Sequence, residues 1–395
     1  MIPLSIAVHA LTAIERTQNL IDNVLVHRCQ QNENRAHFDI EVFQCLDKEG
    51  LLHMTLPKIY GGPQMTVLEM ADVLRRIGGI SGGIATSMIA NLLGASAILN
   101  FGSKTLIKKM TQDSQDTFLL WSFAMTEKNI GSDIKCIQTK AHATDNGYVL
   151  TGEKNYITNA NVSKYVSVFA QTFDQNGNHQ GISCFLIDSQ QAGFRRGEAL
   201  QKFVFRESNT GTLYFDRLLI PKENLIGEEG QGIKILQTCI SQSKTLFAAV
   251  GVGLAERALH LTENYVQTTT RFGKMLIEQK VIPHLLVRLH AETQAAWLLT
   301  QKAAQTWDQS KIAISESSIA KLMAGICATH VTGECLELFG APGLMMESEM
   351  NRLYKEAKGV ETIEGTSRVQ EIIVMNQMYR FPKLKIAPER PGGVI

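Results

Sequence analysis

Along roughly the first 118 residues, apolar positions recur at the three- and four-residue intervals of a helix. The stretch 39–54 places Ile40, Phe43, Leu46 and Leu51 at roughly helical spacing, and 66–79 puts Val67, Met70, Val73 and Leu74 on one stripe. Gly61-Gly62-Pro63 breaks the chain between them, and Gly78-Gly79 is expected to stop the second helix. Residues 82–102 are more uniformly apolar, which predicts a buried helix.

The texture changes near Phe118. From about 136 to 220 the apolar runs are short, alternating and β-branched. Asn146-Gly147 is a hairpin signal, Asn176-Gly177 marks a second turn, and the run 210–221 reads as a strand ending at Pro221. A glycine-rich turn at 226–232 follows, and beyond it the helical signal returns in long stretches with apolar stripes and short connections. Ser367 followed by Gln370 has the form of a capping box opening the last helix. The expected organisation is α+β and mostly α. An N-terminal helical domain (1–118) precedes a middle antiparallel β domain (119–228) and a C-terminal four-helix bundle (229–395).

Composition narrows the function classes. Hydrophobic residues make up 44% and charged residues 19%, as in a globular chain that can bury a substantial core. A formal net charge of +1 argues against nucleic-acid or membrane surfaces as partners. Seven cysteines are scattered without a CxxC or Cys/His cluster, which fits reduced thiols and a cytoplasmic setting. The N-terminal stretch lacks an early basic cluster and a small-residue cleavage site, so no secretory signal is expected. No uninterrupted apolar run reaches about 18 residues, so no membrane span is expected. Ten histidines show no metal-binding pairing.

Three glycine motifs are set aside. The stretch 251–256 lies inside a helical pattern, where its glycines serve close helix packing. The stretch 227–232 lacks the βαβ unit of a dinucleotide site. Residues 79–83 match the form of a nucleophile elbow around Ser81, but no strand precedes that serine, so it reads as a plain turn.

Three other stretches carry chemistry jointly. Residues 123–134 offer the hydroxyls of Thr126 and Ser132, backbone freed by Gly131, and the acids Glu127 and Asp133. Such a polar loop suits the hydrogen-bonding edge of a planar heteroaromatic ligand. Residues 152–160 offer Tyr156 to stack on a ring and Thr158 to donate to a ring nitrogen. In 359–373, Glu364 stands between Ile363 and Gly365 just ahead of a helix N-terminus, where an acid also interacts favourably with the helix dipole.

Taken together these motifs, in this order and spacing, resemble the acyl-CoA dehydrogenases over nearly the whole chain. The family's TEPGAGSD appears as Thr126-Glu-Lys-Asn-Ile-Gly-Ser-Asp133, its GxKxxITNA as Gly152 to Ala160, and its YEGTxxxQ as Ile363 to Gln370. Its GGYG…ER…Y…A segment appears as Gly340-Ala-Pro-Gly343, Arg352, Tyr354 and Ala357. The resemblance implies FAD bound between the β domain and the bundle and a homotetramer or homodimer. It further implies desaturation of an acyl thioester to the trans-2-enoyl product, with electrons passed on to a separate acceptor. Glu364 matches the base that takes the α-proton while a β-hydride passes to flavin N5.

The same resemblance assigns Phe123, Met125, Thr126, Gly131, Ser132, Tyr156, Ile157 and Thr158 to the cofactor's ring system. Thr366 and Ser367 fall near its adenosine diphosphate part. Arg271, Phe272 and Gly340 are further cofactor positions, and the positions of Lys280 and Glu337 hold FAD across a subunit boundary. Ser132, Ser241, Lys244 and Gly365 fall beside the substrate. This chain departs from the family at Thr269, where an arginine is usual, and at Lys280 and Glu337, where glutamine is common; Lys280 could restore positive charge at the pyrophosphate. Lys128, Asn129 and Ile130 replace Pro-Gly-Ala. These departures suggest a specialised branch of fatty-acid or secondary metabolism acting on coenzyme A or carrier-protein thioesters, with Lys128, Lys202 and Arg206 facing an acidic partner. A flavin monooxygenase on the same fold and a non-catalytic structural subunit are the alternatives. Glu364 counts against the first, and the altered cofactor positions favour the second.

Overall fold

The structure is a computed structural model that describes residues 13–379. Much of the stretch on which a secretory signal was judged, residues 1–12, lies outside the described residues.

The N-terminal segment is helical. Helix α1 (13–35) runs through a π-helical turn at Ile21–Leu25, and α2 (Ile40–Lys48) starts at Asp39, whose side chain accepts from Glu41 N–H. The stripe Val67, Met70, Val73 and Leu74 is fully buried, as its spacing predicts, whereas Ile40 is exposed. Helix α3 (Val67–Ile80) opens on a Thr66/Glu69 capping box. It is not stopped by Gly78-Gly79: both glycines lie within it, and the helix ends at Ser81. The reason is packing. A Cβ on Gly79 would stand 2.9 Å from the Gly253 carbonyl oxygen, so these glycines let two helices touch backbone to backbone. Ser81 then caps α4 (Gly82–Phe101) by accepting from Ile84 N–H at 3.0 Å, the plain turn expected of residues 79–83. Helix α4 is long and apolar enough to span a membrane, but most of it is buried inside the protein, as a core helix would be. Helix α5 (Lys104–Asp116) leads to the sheet.

Eight strands form one sheet: β1 (Trp121–Ala124), β2 (Lys140–Thr144), β3 (Gly147–Thr158), β4 (Tyr165–Phe173), β5 (His179–Asp188), β6 (Phe194–Ala199), β7 (Thr210–Pro221) and β8 (Leu225–Ile226). Their order is β6-β7-β3-β2-β4-β5-β8, with β1 beside β4. The Asn146-Gly147 and Asn176-Gly177 hairpins form where expected. The sheet is not wholly antiparallel, because β1 and β2 both run parallel to β4.

The bundle is organised around α6 (Gly232–Thr268), which packs on α3, α4, α7 (Val281–Ser310), α8 (Ile314–Phe339) and α9 (Glu349–Thr362). Helix α10 (Ser367–Tyr379) lies on α8. Close approach again depends on glycine: a Cβ on Gly253 would fall 1.9 Å from the Arg75 carbonyl oxygen of α3, and one on Gly251 3.1 Å from the Ala324 oxygen of α8. The 251–256 motif is thus a packing surface within a helix. One apolar core joins the N-terminal helices to the bundle, and a second joins α4, α5 and the start of α6 to the sheet.

Candidate active site

A cleft of about 850 Å³ opens where the sheet meets the bundle. Its floor and walls come from α4, the end of β1 with the segment following it, the end of β3, the first turns of α6, the start of α8, the turn between α9 and α10, and α10 itself. Asn159, fully buried, locks the first three together by donating to the Ser87 carbonyl of α4 at 3.0 Å and the Trp121 carbonyl of β1 at 3.1 Å.

On the sheet side the cleft is lined by Phe123, Met125, Thr126, Gly131, Ser132, Tyr156, Ile157 and Thr158, all of which the motifs predicted. The loop carrying Thr126 is tied down from below. Lys154 donates to the Met125 carbonyl at 2.8 Å and to Glu127 Oε1 at 2.8 Å, and Glu127 also accepts from the backbone of Gln138 and Thr139. Burial pulls the Lys154 ammonium down to about 8 against the pull of Glu127, while Lys154 and these backbone donors hold the Glu127 carboxyl below its ordinary value despite desolvation. The hydroxyls of Thr126, Ser132 and Thr158 form no hydrogen bond among the described residues. With the Tyr156 ring at the rim, 59% exposed, this wall presents unengaged polar groups beside an aromatic plane. Those are the features a planar, edge-hydrogen-bonding cofactor requires, so the residues present fit the isoalloxazine part of FAD.

On the bundle side stand Ser241 and Lys244 of α6 and Glu364, Gly365 and Thr366 of the α9–α10 turn. Glu364 is left-handed (φ 55°) and partly buried, with its carboxylate turned to the bundle rather than to bulk water: Ser243 Oγ donates to Oε2 at 2.9 Å. Desolvation raises the Glu364 pKa; the Ser243 bond and the charges of Lys244 and Lys321 restrain the rise. Its backbone N–H donates no hydrogen bond among the described residues. Tyr156 (φ 60°) and Asn159 (φ 63°) are also left-handed, so strained backbone gathers on both sides of the cleft. Burial lowers Lys244 to about 8, with Glu364 opposing.

Five predicted cofactor residues do not reach this cleft. Arg271, Phe272, Lys280, Glu337 and Gly340 lie on the surface at the far end of the bundle, where Tyr265 of α6 stacks on Phe339 of α8 at 4.3 Å. The 24 residue steps of α6 from Lys244 to Thr268 span roughly 36 Å at 1.5 Å per residue. Phe272, at the tip of a hairpin, is 98% exposed. Ser367 does not line the cleft either, and it forms no capping box with Gln370: the Gln370 amide instead donates to the Glu364 carbonyl at 3.0 Å and the Gly365 carbonyl at 2.8 Å. Lys202 is not a surface charge. It turns inward to the Ser208 carbonyl at 2.7 Å and Thr210 Oγ1 at 2.9 Å. Among the described residues no cluster of metal ligands is present.

Sequence reasoning missed Ser243 and Lys321, which touch the Glu364 turn, and the α4 residues Thr86, Ala90 and Leu93 in the wall, and it took Gln370 for a helix cap rather than a support of that turn. A lone lysine in the apolar stretch 318–328 was the available signal for Lys321.

Comparison with known proteins agrees with this architecture. Three family models match: the acyl-CoA dehydrogenase N-terminal domain over residues 11–113, the middle domain over 122–218 and the C-terminal domain over 230–379. The cyclohex-1-ene-1-carbonyl-CoA dehydrogenase of Geobacter metallireducens is 32% identical over 362 residues, 91% of this chain and 95% of that protein. The human mitochondrial short-chain specific acyl-CoA dehydrogenase is 32% identical over 333 residues, 84% of this chain and 80% of that protein. The solved structure of butyryl-CoA dehydrogenase from Megasphaera elsdenii superposes with a TM-score of 0.89 at 28% identity, covering 93% of this chain and 97% of that one.

Proposed function

This chain belongs to the acyl-CoA dehydrogenase family, a family of flavoprotein oxidoreductases, and we propose that it desaturates the Cα–Cβ bond of an acyl thioester with Glu364 as the base. The observation that carries this reading is the Glu364 carboxylate itself, held in the cleft by Ser243 opposite the wall of Thr126, Tyr156 and Thr158.

An α-proton of a thioester is weakly acidic, so its base must be both adjacent and strengthened. Desolvation supplies the strengthening at Glu364. The free backbone N–H of Glu364 suits the thioester oxygen as negative charge develops there. Bound FAD would supply the acceptor for the β-hydride, with Thr126, Ser132 and Thr158 at its edge and Tyr156 over its plane. A hydride, carrying both electrons of the Cβ–H bond, leaves Cβ, a proton leaves Cα for Glu364, and a trans-2-enoyl thioester remains.

Arg271, Phe272, Lys280, Glu337 and Gly340 suit the cleft of a second copy, which implies a homodimer or homotetramer. Reduced cofactor would pass its electrons to a separate acceptor protein. The thioester carrier is coenzyme A or an acyl carrier protein. Glu364→Gln in the holoenzyme tests the reading: dye-linked oxidation of butyryl-, cyclohexanoyl- and longer acyl thioesters on both carriers should fall by about a thousandfold. Retained turnover overturns it.

A further inference from the structure

Four residues, 363–366, join α9 to α10, and within them Glu364 (φ 55°) and Gly365 (φ 89°) are both left-handed. Glycine adopts that conformation freely, but a residue with a Cβ holds it only when the surroundings impose it. The end of α9 also leaves carbonyls without helical partners. Two side chains meet both needs. Lys321 of α8, 1% exposed, donates from Nζ to the Glu361 carbonyl at 3.1 Å and the Gly365 carbonyl at 2.6 Å. Gln370 of α10, fully buried, donates from Nε2 to the Glu364 and Gly365 carbonyls.

A neutral amide would cap those carbonyls as well as an ammonium does, as Gln370 illustrates. Burying an ammonium costs more and is offset only by nearby negative charge. Every element packed against Glu364 bears on this. Helix α6 contributes Lys244, which donates to Ser318 Oγ at 3.2 Å and, among the described residues, to none of the turn's carbonyls. Helix α9 contributes Glu361, whose carboxylate pairs with Lys358 at 2.9 Å. Helix α10 contributes Arg368 and Glu371, which pair with each other at 2.9 Å on the outside. Lys321 is therefore the buried cation bonded directly to the backbone that carries Glu364.

We propose that Lys321 is a positioning residue: with Gln370 it fixes the left-handed turn that aims the Glu364 carboxylate into the cleft, and its charge favours the ionised form of that carboxylate. The inference rests on the reading of Glu364 as the base. Burial lowers Lys321 to about 8, with Glu364 opposing, so the ammonium is charged at neutral pH.

The test compares holoenzymes carrying Lys321→Met, Lys321→Gln, Lys321→Arg and Gln370→Leu, with butyryl-CoA as the probe. Lys321→Met and Lys321→Gln are expected to lower kcat about tenfold at pH 7 with KM changed less than threefold, and to move the acid limb of the kcat profile up by about one pH unit. Lys321→Arg restores the limb. Gln370→Leu lowers kcat without moving it, because no charge is lost. Infrared difference titration of the Glu364 carboxyl, with Glu364→Gln as the blank, reads the same midpoint without any substrate. A wild-type midpoint in Lys321→Gln, or a change confined to thermal stability, overturns the proposal. Turnover retained by Glu364→Gln would overturn the functional reading instead.

Discussion

Ser243 Oγ of α6 donates to Glu364 Oε2 across 2.9 Å, which makes a serine from the first turns of one helix the direct partner of an acid that precedes another. A hydrogen bond to the charged form favours that form, so this contact works against the rise that burial imposes on Glu364. Ser243→Ala is expected to raise the Glu364 pKa and carry the acid limb of kcat/KM upward by about one pH unit. Activity well above the limb should change little, because the stronger base and the lost orientation act in opposite directions. Rate profiles from pH 5 to 9 check this, and an unmoved limb contradicts it.

The loop that carries Thr126 depends on a buried ion pair. Lys154 and Glu127 meet at 2.8 Å with side chains 0% and 6% exposed. Such a pair adds little net stability over an apolar pair, but removing one partner strands the other's charge, at about 3–5 kcal/mol. Lys154→Met should therefore destabilise the protein by that order and loosen the Met125 carbonyl it holds. Flavin retained through gel filtration, together with the urea midpoint, measures both effects. Lys154→Met with unaltered flavin content would show that the loop holds its shape without the pair.

Gly253 faces the tightest helix contact in the bundle core. A Cβ there would fall 1.9 Å from the Arg75 carbonyl oxygen, a backbone atom that cannot swing aside. Gly253→Ala must push α3 and α6 apart, and a cost of about 3 kcal/mol is expected from the urea midpoint. Gly273→Ala serves as the comparison: nothing lies within 4 Å of its added Cβ, but its φ of 77° imposes a smaller backbone cost.

How much of this was legible depends on how local each feature is. The stripe of Val67, Met70, Val73 and Leu74 was readable because helical periodicity is written within one turn or two. The Glu364 turn and the polar wall of Thr126 and Thr158 were readable because their motifs are short and contiguous. Gly78-Gly79 was misread as a stop because the meaning of a glycine there lies in Gly253, on another helix. The parallel pairing of β1 with β4 was invisible for the same reason: a four-residue strand carries no record of its neighbour. Ser243 lies 121 residues from Glu364 and Lys321 lies 44 from Gly365, so no window along the chain brings either to the site. The capping box misread at Ser367 and Gln370 is instructive in its own way: the residue types were right, but a stronger claim on the Gln370 amide came from the turn behind it.

The last prediction concerns stability, and it arises from a cluster of buried acids. Glu33, Glu207 and Glu356 are all buried where α1, the loop before β7 and α9 converge on the α3–α4 junction. Arg352 pairs with Glu356 at 2.7 Å, Ser81 donates to Glu207, and Glu33 accepts from the backbone of Arg206 at 2.7 Å. One guanidinium shared in this way, also held by Glu349 at 3.0 Å, does not neutralise three carboxylates. Burial accordingly pushes Glu207 from 4.5 up to about 8, and Glu356 also stands above its ordinary value. A carboxyl whose folded pKa exceeds its unfolded one contributes stability that is whole below the unfolded value. That contribution drains away as pH rises through the folded value, so the window here runs from about 4.5 to about 8. The melting temperature should therefore fall by a few degrees between pH 6 and pH 8.5. Glu207→Gln, which still accepts from Ser81 but carries no titrating proton, should flatten that slope. Parallel slopes for the two proteins would mean that Glu207 is ionised throughout and that the surrounding donors, rather than a bound proton, accommodate its charge.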